Sequence, residues 1–279
     1  MSDLRLRARS VTEIVDAAFQ LYKRDPLEYI LVTALSYAPL IVAQLIFLRG
    51  MLTLKGAAAA AVASASLVIG IVSLFVYALM LAVLSRFASD VYLGKAASLT
   101  EVLRSVLRVV PAVIAATFGL GFVWVLGFLP VIVGALLKLP VLIGLGVPFA
   151  IGWMFYAYAR FFAVFQVIVL EEPNILRAFS RSSVLSRGRK GHILLTMLLA
   201  FVIFFVVAFA VSVVSGIVAA ITGSFAVSTA LQSLFTVLGY PLIGITQVIL
   251  YYDARIRSEG FDIELMASAL DASAPTVVS

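Results

Sequence analysis

Apolar residues fill the chain in long runs, and polar residues gather in short stretches between them. About 20 apolar residues in a helix cover the ~30 Å hydrocarbon core of a bilayer. The runs of that length are Leu27 to Leu48, Ala57 to Leu84, Val109 to Leu137, Leu139 to Leu170, Ile193 to Thr222 and Phe225 to Tyr252. They predict an all-α integral membrane protein with six transmembrane helices. At ~1.5 Å per residue the fourth run would be about 48 Å long, too long for one perpendicular crossing. Its end, Phe161 to Leu170, is expected to project past the membrane, leaving Arg160 at the interface. A charge costs little there, against about 2.5–3.5 kcal/mol at the bilayer centre.

Between the runs the apolar positions become periodic. Ser10-Val-Thr-Glu13-Ile opens a segment with Val11, Ile14, Val15, Ala18 and Tyr22 on one helical face, and Ser98-Leu-Thr-Glu101-Val opens another with Leu99, Val102, Leu103, Val106, Leu107 and Val110. Both openings carry the Ser-x-x-Glu capping box, in which serine and glutamate each accept the other's backbone N–H. A weaker copy starts at Pro173-Asn174-Ile175 and continues through Ala178, Phe179, Ser182 and Leu185. The pattern predicts three cytoplasmic interfacial amphipathic helices, lying in the membrane plane. Each precedes a transmembrane hairpin, giving a threefold repeat of units near 10–85, 98–170 and 174–252. A cytoplasmic tail, 253–279, completes a single polytopic domain spanning 1–279. Three unrelated juxtamembrane helices would give the same pattern, because capping boxes are common.

Charge sets the orientation. With six spans, 17 of the 20 Lys and Arg residues fall on the side of the termini, leaving Arg49, Lys55 and Lys138 opposite. All 14 acidic residues share the side of the termini. The positive-inside bias therefore predicts that both termini are cytoplasmic. The net charge of +6 arises from these loops, so it points to anionic head groups and not to nucleic acid. Arg104, Arg108, Arg177, Arg181 and Arg187 are the expected head-group contacts. The first run lacks the short core and small-residue cleavage site of a signal peptide. A composition of 63% hydrophobic and 12% charged residues excludes a water-soluble fold.

Little in the chain can carry chemistry. It has no cysteine and one histidine, His192, so no metal site, cofactor or catalytic residue is expected. The spans hold almost no ionisable group, which argues against a proton-coupled carrier. Mid-span polar residues such as Tyr77, Gln232 and Gln247 are expected to bond helix to helix. Glycines from Gly119 to Gly152 either allow close helix packing or line a cavity. Three stretches are more specified than packing requires: Arg160 to Glu172, the run Arg177 to Arg189, and Tyr251 to Asp262. Asp253 with Arg257, and Arg255 with Glu259, are spaced i, i+4 and can pair on a helix that stops at Gly260. Tyr251 and Tyr252 suit the interface belt. Arg160, Glu171, Arg177, Arg181, Arg187, Arg189, Asp253, Arg255, Arg257 and Glu259 thus form a candidate salt-bridged brace or set of head-group contacts. A ligand site is the alternative.

The same stretches carry a resemblance. Leu6 to Tyr22, Val169 to Gly188, and Tyr252-Asp-x-Arg255-x-Arg-x-Glu259-Gly260-Phe261-Asp262 resemble the start, centre and tail of the bacterial glycerophosphoryl diester phosphodiesterase membrane-domain family. The resemblance implies a multi-pass protein of the bacterial inner membrane, similar to stand-alone members that lack the catalytic domain. The phosphodiesterase activity does not carry over, because one histidine and no long soluble stretch cannot supply that domain.

The leading expectation is a non-enzymatic inner-membrane protein, an accessory or scaffold subunit associating with lipids and a membrane or cytoplasmic protein partner. The alternative is a component of a lipid or hydrophobic-solute transporter or channel, with a cavity lined from Gly119 to Gly152. The third is a head-group-acting membrane enzyme using Glu171, Glu172 or Asp253.

Overall fold

The computed structural model describes residues 7–53, 59–95 and 98–263. The expected outer loop at Lys55 and the tail from Glu264 onward lie outside the described residues. The described helices are α1 (Val11–Arg24), α2 (Pro26–Thr53), α3 (Ala59–Tyr92), α4 (Leu99–Leu136), α5 (Pro140–Arg160), α6 (Val164–Leu170), α7 (Ile175–Leu185), α8 (Lys190–Thr222) and α9 (Phe225–Glu259). Six stretches are long and apolar enough to cross a membrane: Pro26–Phe47, Ser64–Tyr92, Leu99–Leu136, Pro140–Leu170, Lys190–Thr222 and Ala226–Glu259. The protein is a helical, multi-pass membrane protein. Hairpins α2–α3, α4–α5 and α8–α9 pack side by side.

The core sits toward the end of the bundle that holds Arg9, Arg181 and Glu259, here called the charged end. Tyr29 and Phe87 meet edge to face there at 4.9 Å, and the α9 segment from Ile245 to Tyr252 is buried throughout. Toward the other end, Leu136, Phe209 and Ile221 are more than 70% uncovered by the chain. In a bilayer such faces meet lipid or another protein, because lipid tails are as apolar as the side chains.

The polar stretches fold differently from one another. In α1 the capping box is formed: Glu13 Oε2 accepts from the Ser10 amide at 2.8 Å, and Ser10 Oγ accepts from the Glu13 amide. The apolar face of α1, with Ile14, Ala18 and Leu21 fully buried, rests on α8 and α9 and so meets protein instead of acyl chains. The second stretch is not a separate helix. Ser98 makes no side-chain cap, and Leu99 to Leu136 is one continuous helix that runs through Pro111 and Pro130. The third is the separate helix α7, capped by Asn174 accepting from the Arg177 amide at 3.1 Å. The fourth run breaks after Arg160. After a turn at Phe161–Ala163 it forms α6, whose Val164, Gln166, Val167 and Ile168 are buried against neighbouring elements that include α3 and α4.

Several of the glycines between Gly119 and Gly152 serve close packing of α4 on α5. A Cβ on Gly134 would lie 2.9 Å from the backbone nitrogen of Ile143, and one on Gly146 would lie 3.0 Å from that of Val131. Gly134→Ala is therefore expected to destabilise the fold by about 1–3 kcal/mol through overpacking. Gly152→Ala, which enters open space, should cause no loss; thermal unfolding in detergent distinguishes the two. Hydrogen bonds from the Ser10 backbone and then Arg7 hold the Glu13 carboxyl down at about 2. Because that value lies below the ordinary 4.5, the capping box stabilises α1 at neutral pH and is lost as pH falls from 4.5 toward 2. Protection of the Ser10 and Glu13 amides against exchange, relative to the intrinsic rate at each pH, should fall across that window.

Candidate functional site

The charged end is organised by the last two turns of α9. Successive residues turn about 100° around a helix, so pairs offset by two positions face nearly opposite ways. Asp253 with Arg257 faces α1 and α8, and Arg255 with Glu259 faces α7. Both i, i+4 pairs form, at 2.8 Å and 3.2 Å. Gly260 then adopts a left-handed conformation with φ 66°, which ends the helix and turns the chain. Phe261 folds back to stack on Tyr252 and lies 3.9 Å beneath the Arg255 guanidinium.

Asp253 is 2% exposed and is the centre of the first face. Its Oδ1 accepts from the Arg9 amide at 2.7 Å, and its Oδ2 accepts from Arg257 Nε. His192 Nε2 lies 3.3 Å from Oδ2. Arg257 also donates to the Arg9 carbonyl at 2.7 Å, so the residue preceding the α1 cap is held at both its N–H and its C=O. Arg189 donates to the Arg257 carbonyl at 2.7 Å and closes the α8 side.

Arg181 of α7 is the centre of the second face. It donates through Nε to Glu171 at 2.9 Å and through Nη2 to Glu259 at 2.8 Å, with a second bond from Nη1 to Glu259. These bonds, the one to Glu259 foremost, push the Arg181 guanidinium up and keep it charged. Tyr251 donates to the other Glu171 oxygen at 2.6 Å. Tyr251 and Tyr252 are therefore buried in the network and do not form an interface belt. Tyr252 exchanges a hydrogen bond with Ser89 at 2.7 Å.

Deeper in the bundle a neutral layer joins four helices. The Gln166 amide donates to Ser85 at 3.2 Å and to Gln247 at 3.1 Å, and Gln247 donates to Tyr158 at 3.3 Å. Ser182 accepts from the Ala163 amide and donates to the Arg160 carbonyl, fastening α7 to the break after α5. Gln247 was expected to bond between helices, whereas Gln166, Ser182 and Arg9 were missed as anchors. The visible signal for Gln166 was a lone amide inside the apolar run Val164 to Leu170.

Among the predicted site residues, the structure gathers Glu171, Arg181, Arg189, Asp253, Arg255, Arg257 and Glu259 into this network. Arg177 stays outside it, in an exposed pair with Glu172 at 2.8 Å. Arg187 is exposed and takes no part. Arg160 bonds Tyr156 at 2.8 Å, away from the α9 end. Among the described residues no group of three His, Cys, Asp or Glu side chains could hold a metal ion.

Three cavities open between the helices. One of about 490 Å³ lies between α3, α8 and α9, bounded by Tyr77, Phe204, Gln232, Thr236 and Tyr240. One of about 220 Å³ lies between α3 and α4 and includes Gly121 and Trp124. The third, of about 300 Å³, is an apolar groove between α5 and α8. Comparison with family models, curated proteins and solved structures gives no match to this chain.

Asp253→Ala is expected to cost about 3 kcal/mol of stability, because it leaves Arg257 and a buried amide without their partner. Arg177→Ala should leave the unfolding temperature unchanged, since its pair is exposed. Thermal unfolding of both variants in the same detergent provides the check.

Proposed function

We propose that the chain is a non-enzymatic protein of the bacterial inner membrane that acts by association with lipids and a protein partner, as an accessory or scaffold subunit. One observation carries this reading: the acids available for chemistry are engaged as structural struts. Glu171 is held by Arg181 and Tyr251, Glu172 by Arg177, and Asp253 by Arg257 and the Arg9 amide. In this reading the charged end faces the cytoplasm with both termini, and α1 and α7 belong to a collar at the inner surface. The units of polar helix plus hairpin descend from one repeat, the second having fused its helix to the span. The chain is also read as a stand-alone relative of the glycerophosphoryl diester phosphodiesterase membrane-domain family. Supporting that kinship, the three stretches that carry the resemblance meet at one end of the bundle through Arg9–Asp253 and Arg181–Glu259.

A second reading, transport of lipid or a hydrophobic solute, is favoured by the cavity of about 490 Å³ at Tyr77 and Tyr240. That volume falls within the ~300–1,000 Å³ usual for small-molecule sites. Purification in native-lipid particles followed by mass spectrometry separates the two. A stoichiometric protein partner is expected. A robust transport rate in proteoliposomes of the pure chain would overturn the association reading and support the second.

A further inference from the structure

Two of the cations that stand outside the ion-pair network share one aromatic ring. Arg160 at the end of α5 donates to the Tyr156 hydroxyl at 2.8 Å, with its guanidinium carbon 6.0 Å from that ring's centre. Lys190 at the start of α8 places its ammonium 5.0 Å from the same centre. The ion pairs among the described residues join Glu13, Asp25, Asp90, Glu171, Glu172, Asp253 and Glu259 to other cations or to His192, and none involves Arg160 or Lys190. Two positive charges thus flank one partly exposed aromatic ring without a neutralising carboxylate.

The groove of about 300 Å³ begins one turn away, at Phe155 on α5 and Leu194 on α8. Met197, 1% exposed, forms its floor, while Phe155, Leu198 and Trp124 stand at its rim with 41–54% exposure. Its lining is almost wholly apolar and it lies along the membrane-spanning parts of both helices. The volume is at the lower bound of ~300 Å³ for ligand pockets, so it suits part of one acyl chain and not a whole lipid.

From this juxtaposition we infer that Arg160, Lys190 and Tyr156 with the α5–α8 groove form a site for an anionic phospholipid of the cytoplasmic leaflet. The phosphate lies between the two cations, and one acyl chain follows the groove past Met197 toward Phe201. Charge complementarity selects the head group, and the apolar lining accepts the chain. A neutral lipid would leave the two cations uncompensated at the membrane surface, and a free phosphate would leave the groove empty. The inference rests on the orientation given under Proposed function and specifies which lipid class that association selects.

The chain carries its own reporters. Of its two tryptophans, Trp124 lines the groove and Trp153 lies 5.9 Å from the Tyr156 ring. The full chain is reconstituted in vesicles with equal mole fractions of brominated phosphatidylglycerol or brominated phosphatidylcholine, and tryptophan quenching is measured. A preference of about thirtyfold for the anionic lipid is expected from two cations at the surface. It should fall to near unity in Arg160→Gln/Lys190→Gln, and persist in Lys23→Gln/Lys95→Gln, which removes two charges elsewhere on the chain. If the double variant does not fold, Lys190→Gln alone should lower the preference partway. Equal quenching of the native chain by both lipids overturns the site. So does a control pair that abolishes the preference as fully as the site pair. Protection from both lipids also overturns it, by revealing a protein helix in the groove. None of these outcomes bears on whether a partner co-purifies, so the broader association reading stands or falls separately.

Discussion

A carboxylate removed from solvent has to be matched by hydrogen bonds and opposite charge, or the fold loses several kcal/mol. Asp253 is matched by the Arg9 amide and by Arg257 one turn along its own helix, and His192 of α8 lies beside it. The first of these partners is 244 residues away. By holding the residue before the Ser10 cap, Asp253 sets where α1 begins. From that start, Ile14, Ala18 and Leu21 reach their seats against α8 and α9. Once α1 is seated, α9 is enclosed on one side and can be braced on the other by α7.

That brace uses the same helix at a different phase. Glu259, held by Arg255 on its own helix, meets Arg181, while Glu171 bridges Arg181 to Tyr251, so α6, α7 and α9 share one charged junction. Below it, Gln166 binds α6 to α3 and α9, and Tyr158 extends the layer to α5. Within a bilayer the hydrophobic effect does not draw helices together, so polar bonds and close packing have to do it. The distribution of tight and loose regions follows. The spans are closely held where the polar layer lies and where Gly134 and Gly146 let α4 approach α5, and they part into cavities elsewhere.

The functional reading comes from which charges this framework consumes. Glu171, Asp253 and Glu259 are bound as struts, whereas Arg160 and Lys190 gather at an aromatic ring beside an apolar groove. That pairing of spare cations with occupied carboxylates is what the proposed association with an anionic membrane component rests on.

What the sequence by itself determined was local. Runs of apolar residues marked the spans, i, i+4 spacing paired Asp253 with Arg257 and Arg255 with Glu259, Ser10 and Glu13 marked a helix start, and Gly260 marked a stop. Each depends on neighbours a few residues apart, whose geometry the helix itself imposes. The same local logic placed a capping box at Ser98, where α4 does begin, but the Ser98 side chain makes no cap bond. It also sent Tyr251 and Tyr252 to the interface, although both turn inward. Only the tertiary structure decided that α6 tucks into the bundle, that Arg181 meets Glu259 across 78 residues, and that Gln166 joins the helices. These contacts depend on the rotation and depth of whole helices, which are set collectively by packing and leave no short-range spacing in the sequence to read.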